Sequence, residues 1–133
     1  MKQETQRTIF LVEEDDETRR LLKHNLQTYG YRVLAALSEE DALERVSGVH
    51  PPPDLILVNF VGKSPEEALD AGRRIREHAR YDGRTPLIVM PEKFPREFEG
   101  MDENVGGNDW VCYFEDAEQL QRLVGRVVDR DAP

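Results

Sequence analysis

The feature that most constrains this chain is its alternation of short apolar runs with longer stretches of helical spacing. Runs at residues 9–12, 31–36, 55–58, 86–90 and 110–114 are each the length of a strand. Three of them are nearly continuous Val, Ile and Leu rather than alternating apolar with polar, which is the pattern of strands covered on both faces. Helices must supply that cover, so successive βα units and a mostly parallel sheet are expected.

The first helix is expected after Asp15 or Asp16, burying Leu22, Leu26 and Tyr29 and stopping at Gly30. A second opens at Ser38, buries Ala42, Leu43 and Val46, and ends before the prolines at 51–53. The third has Ser64 as N-cap, Pro65 at N1 and Glu67 at N3, a capping box followed by a stripe of Ala68, Gly72, Ile75 and Ala79. The last begins at Asp116 and carries Leu120, Leu123, Val124, Val127 and Val128 on one face. Residues 91–109 hold Pro91, Pro95, Gly100, Gly106 and Gly107, all unfavourable to a helix. Phe94, Phe98, Met101 and Val105 nevertheless keep helical spacing, and predict a short fourth helix dependent on tertiary packing. At 133 residues the whole reads as one domain, its core at about residues 8–130, with frayed tails.

Composition narrows the partners. Eighteen basic against 27 acidic residues give a net charge of −9, which repels phosphate backbones and anionic headgroups, so neither nucleic acid nor membrane is expected. No run approaches the roughly 18 apolar residues of a bilayer span. The single cysteine, Cys112, excludes an intrachain disulfide, reads as a small buried hydrophobe and fits a reducing cytoplasm. His24, His50 and His78 stand on different elements with no shared spacing, which argues against a metal cluster. No Gly-rich phosphate loop follows any strand.

In an open parallel sheet, ligands bind beyond the carboxyl ends of the strands, which points to Glu13 and Glu14, Asn59, Pro91, and Cys112 with Tyr113. The acid pair could bind a cation or be no more than solvated charge, and Asn59 suits a hydrogen-bonding role at its strand end. At these positions the chain resembles the receiver domain of bacterial response regulators. The residues carrying the likeness include Thr8-Ile9-Phe10-Leu11-Val12-Glu13-Glu14-Asp15, Tyr29-Gly30-Tyr31-Arg32-Val33, Pro53-Asp54-Leu55-Ile56-Leu57-Val58-Asn59, Thr85-Pro86-Leu87-Ile88-Val89 and Gly106-Gly107-Asn108-Asp109-Trp110. The resemblance implies a doubly wound α/β fold, a five-stranded parallel sheet of order 2-1-3-4-5 with about five helices.

It also implies a site that this sequence does not keep. The phosphoacceptor Asp of the family is Asn59 here, and a carboxamide is not the nucleophile that forms an acyl phosphate. The hydroxyl residue ending the fourth strand is Pro91, the Lys ending the fifth is Tyr113, and the Pro after that Lys is Phe114, where a trans peptide is expected. The acid pair survives as Glu13 and Glu14, so magnesium binding is expected to be weak or absent, with no other cofactor. The expectation is a stand-alone, non-enzymatic and degenerate receiver of bacterial two-component signalling, cytoplasmic, with a kinase-like or effector protein as partner. Phe94, Phe98 and Trp110 are candidate partner-surface residues, or else core, in an acidic neighbourhood suited to a basic partner. A homodimer through the fourth helix, fifth strand and fifth helix is a further expectation. Two other readings stay open: phosphotransfer to Glu13 or Glu14 as surrogate, and small-ligand binding in a reshaped strand-end pocket.

Overall fold

A computed structural model describes residues 6–79 and 84–129. The elements run in the order β1 (Thr8–Glu13), α1 (Asp16–Thr28), β2 (Arg32–Ala36), α2 (Glu39–Val46), β3 (Leu55–Asn59), α3 (Pro65–His78) and β4 (Leu87–Met90). A 3-10 turn (Arg96–Phe98), β5 (Asp102–Gly106), β6 (Asp109–Cys112) and α4 (Ala117–Val128) complete the described chain. Each α-helix is started by a side chain. Asp15, Ser38, Ser64 and Asp116 each accept from a main-chain N–H in the first turn, and the Ser64–Glu67 capping box is formed in both directions.

The sheet order is β2-β1-β3-β4-β6-β5. Its first five members are parallel to their neighbours, which reproduces the expected 2-1-3-4-5 order with β6 as the fifth parallel strand. Alternate residues of the central strands feed two layers. Phe10, Val12, Ile56, Val58, Leu87 and Val89 pack beneath α2 and α3, with Ala68 and Ile75 among their partners. Ile9, Leu11, Leu55, Leu57, Ile88 and Cys112 pack beneath α1 and α4, against Leu22, Leu26, Leu120, Leu123 and Val127. Residues buried on both sides account for the unbroken Val, Ile and Leu runs. Tyr29 is the exception on α1: it caps the helix at the surface rather than entering the core.

The expected fourth helix does not form, so the described residues hold four α-helices rather than about five, and a sixth strand is added. Residues 96–98 make only a single 3-10 turn, and Gly100, at φ +88°, ends it. Residues 102–106 then pair antiparallel with β6 across a turn in which Gly106 and Gly107 take φ of +132° and +54°. Such a glycine pair favours a hairpin. The helical spacing of Phe94, Phe98, Met101 and Val105 was therefore misleading: Phe94 and Val105 are half-buried on the α2/α3 layer, whereas Phe98 and Met101 are exposed. Gln119 staples the hairpin to α4, its amide donating to Met101 O at 3.1 Å, Asp102 Oδ1 at 2.9 Å and Tyr113 O at 3.3 Å.

At the opposite end of β6, buried Asp109 accepts from Arg73 Nε at 2.9 Å and from Arg76 Nη1 at 2.7 Å, tying the sheet to α3. Burial alone would raise the Asp109 carboxyl, but Arg76 and Arg73 outweigh it and hold it below the ordinary 3.8. The stability it contributes is therefore present above that value and lost as pH falls through the lowered one. Asp109→Asn should destabilise the fold at neutral pH by about 1–3 kcal/mol, and by progressively less in strong acid, as checked by urea unfolding across that range.

Candidate functional site at the carboxyl ends of the strands

The strand order reverses at β1, between β2 and β3, and the crevice of a doubly wound sheet opens there. Register places Glu13 directly beside Asn59 across β1 and β3. The two side chains meet: Asn59 Nδ2 donates to Glu13 Oε1 at 2.6 Å, and the other carboxylate oxygen accepts from the Asp15 N–H at 3.1 Å. Glu13 is 1% exposed, so it is not a solvated charge. Burial raises its carboxyl above the ordinary 4.5, against the lowering by the Asp15 N–H and the Asn59 amide. Ionisation of Glu13 accordingly opposes folding, and its contribution is full below 4.5 and declines as pH rises through the raised value.

Glu14 is exposed and turned the other way. Its Oε1 accepts from the Val61 N–H at 2.9 Å. The next N–H in the same loop, Gly62, donates to Glu92 Oε1 at 2.7 Å. The Glu92 and Lys93 N–H groups return the contact to Lys63 O at 3.1 and 3.2 Å. The β3–α3 loop is thus clasped to the segment after β4 by main-chain bonds and by a carboxylate. Two loop N–H groups that could have faced an oxyanion are already satisfied within the protein.

Around this clasp lies an open cleft of about 670 Å³, lined in part by Glu13, Asn59, Pro91, Glu92, Phe94 and Phe114. Pro91 is buried at its mouth and offers neither hydroxyl nor N–H. Tyr113 is buried rather than projecting into the cleft, with Phe94 at 5.1 Å and Phe98 at 5.3 Å between ring centres. Its hydroxyl donates to Glu103 at 3.3 Å, and burial, then Glu103, push its pKa up. The Tyr113–Phe114 peptide is trans. Cys112 is fully buried; burial, then the neighbouring Asp102, raise its thiol far above the ordinary value, so it is no nucleophile.

The donor set does not fit magnesium. Both Glu13 oxygens are taken by protein donors, Glu14 is committed to the Val61 N–H, and Asn59 presents an amide where a carboxylate would complete the ligands. Among the described residues no three His, Cys, Asp or Glu side chains converge as a metal site. Exposed His24 and His78 lie on α1 and α3, and His50 in the connector.

Phe94, Phe98 and Trp110 do not share a surface. The two phenylalanines sit with Tyr113 on the α2/α3 side, whereas Trp110 packs on the α1/α4 layer beneath Arg126, whose guanidinium carbon is 5.0 Å from the ring centre. The clasp residue Glu92 and the staple Gln119 were not legible from sequence, since neither belongs to a periodic pattern. A carboxylate directly following the strand-end proline was the one available signal for Glu92.

No family model matches the chain. The chain is similar to regulatory protein AtoC of Escherichia coli (strain K12), 26% identical over 120 residues, a match that covers 90% of this chain and 25% of the relative. It therefore spans a quarter of that protein's length. Among solved structures it is similar to a two-component response regulator from Clostridium difficile, at TM-score 0.69 and 20% identity over 96% of this chain and 100% of the other. It is similar too to the receiver domain of sensor histidine kinase PA1611 from Pseudomonas aeruginosa PAO1, at TM-score 0.65 and 24% identity over 93% and 98% of the two chains. That receiver was solved with a magnesium ion coordinated in its active-site cleft. The chain has the fold of response-regulator receiver domains, as the sequence resemblance implied, with a hairpin strand in place of one helix.

Asn59→Asp would set a second carboxylate against buried Glu13. It should lower stability at neutral pH by about 2–4 kcal/mol, within the ceiling of about 4 kcal/mol for a unit pair roughly 4 Å apart at an effective dielectric of about 20. Because the pair would then hold a shared proton, the loss should shrink on acidification, and millimolar magnesium should restore part of it, as read by thermal melts. Exposed Glu92 gives a separate check: Glu92→Ala should speed hydrogen exchange at the Gly62 amide while changing global stability by about 0.5 kcal/mol or less.

Proposed function

We propose that this chain is a non-enzymatic protein-interaction module of bacterial two-component signalling, built on the receiver fold and acting without aspartyl phosphorylation. The observation that carries this reading is the bond from the Asn59 amide to the buried Glu13 carboxylate, in the place where a phosphoacceptor and its metal would meet. A phosphoryl group needs an ionised oxygen to attack phosphorus and a cation to offset the charge that develops. Asn59 supplies neither the nucleophile nor a charged metal ligand.

Surrogate chemistry at the acid pair is disfavoured by the same bonds. Glu13 is inaccessible and doubly bonded, and Glu14 would have to release the Val61 N–H before meeting a phosphodonor. Glu14 and Glu92 already supply negative charge to the loop that a phosphoryl oxygen would otherwise engage, which supports a cleft held in one arrangement without magnesium. Signalling then rests on surfaces: a kinase-like or effector protein recognises the module as folded. Among the described residues no helix is long and apolar enough to cross a membrane. A cytoplasmic setting is proposed from the single buried thiol.

Incubation with acetyl phosphate and magnesium, followed by intact mass, tests the reading. No phosphoryl adduct is expected. An adduct that hydroxylamine removes, as it would from an acyl phosphate, would overturn it.

A further inference from the structure

We propose that the outer edge of β5 is a strand-addition site for an extended, Lys/Arg-bearing segment of a protein partner. The inference rests on the reading of the chain as an interaction module, but on none of the side chains that disable the phosphorylation site.

β5 closes the sheet order and pairs with β6 alone, so its other edge is open among the described residues. The pairing fixes which groups face outward. Tyr113 N–H donates to Met101 O at 2.9 Å, while Tyr113 O accepts from Gly100 N–H at 2.7 Å and the Met101 N–H turns back to Phe98 O, so at this position the Met101 carbonyl faces β6. Two residues on, Glu103 stands opposite Val111 as a bonded pair, so the N–H and C=O of Asp102 and Asn104 turn away from β6. Gln119 holds Asp102 from behind, so this edge is anchored rather than frayed.

Charge identifies the occupant. Asp102 and Glu103 lie on β5 itself, Glu97 and Glu99 in the turn that leads into it, and the Glu115 carboxylate against Gly100. The counter-charges are Arg96 in that turn and Arg126 over Trp110, opposite Asn104. A second copy bringing the same acids to this edge would be repelled, a usual protection of open strands. A strand with Lys or Arg at alternate positions meets complementary charge and gains main-chain bonds. Phe98, 36% exposed, and Met101, 50% exposed, flank the start of β5 and offer an apolar contact to one end of such a segment.

The probe is the peptide acetyl-Lys-Val-Lys-Val-Lys-Val-Lys-amide, titrated into the isotope-labelled chain. Amide shifts centred on residues 97–106 are expected, with exchange slowed at Asp102 and Asn104 and affinity falling as salt rises. The same peptide methylated on alternate main-chain nitrogens keeps its charge but cannot pair as a strand, and should bind about tenfold more weakly or not at all. The triple variant Glu97→Lys, Glu99→Lys, Glu103→Lys should lose a similar factor; if it fails to fold, Glu103→Gln alone should weaken binding measurably. Equal binding of the methylated peptide, shifts centred elsewhere, no shifts at millimolar peptide, or self-association through β5 in place of peptide binding would each overturn the proposal. A failed titration would leave the mass result untouched, and a phosphoryl adduct would overturn the module reading while leaving the edge result standing.

Discussion

A carboxylate buried between two strands of a parallel sheet must be satisfied by donors or else cost several kcal/mol, and that requirement organises the carboxyl end of this molecule. Glu13 ends β1 with 1% of its surface exposed, and its donors are the Asn59 amide and the Asp15 N–H. One bond joins β1 to β3 across the point where the strand order reverses; the other holds the residue that caps α1. A second carboxylate in the Asn59 position would turn this satisfied pair into a repulsive one that only a cation or a proton could relieve. On the proposed reading, the amide removes the nucleophile and the need for metal together.

The loops above that pair are completed in the same way. Glu14 and Glu92 cap consecutive N–H groups of the β3–α3 loop, and Lys63 O receives two main-chain donors from the segment after β4. Charges that a signalling receiver would take from outside are here part of the chain. On the proposed reading these bonds hold the loops in one arrangement, where a switch would need two of similar free energy. The departure from the expected fold lies at the far edge, where a glycine-turned hairpin stands in place of the expected helix and presents main-chain groups in an acidic field.

Much of this was legible in the residues. The unbroken runs gave the parallel strands, the family resemblance implied their order, and the caps Asp15, Ser38, Ser64 and Asp116 gave the helix starts. The strand-end rule singled out Glu13, Asn59 and Pro91, and the structure brings all three to one cleft. The segment after β4 was misread because apolar spacing at 94, 98, 101 and 105 fits a helix, while the competing glycines at 100, 106 and 107 decide the backbone. Two roles could not be read at all. Whether Glu13 is solvated depends on what packs over it, and which carboxylate reaches the Gly62 N–H depends on a contact 30 residues apart in sequence. Pattern rules see neither.

The central claim is that the carboxyl-end site is closed by the chain's own hydrogen bonds. The most direct measurement is a nitrogen–proton correlation spectrum of the labelled protein, following the Asn59 side-chain amide and the Val61 and Gly62 main-chain amides as magnesium and beryllofluoride are added. The account predicts a slowly exchanging Asn59 amide and no movement of these signals at millimolar concentrations. Saturable shifts at all three, in response to either addition, would show an open, ligand-competent site and contradict it.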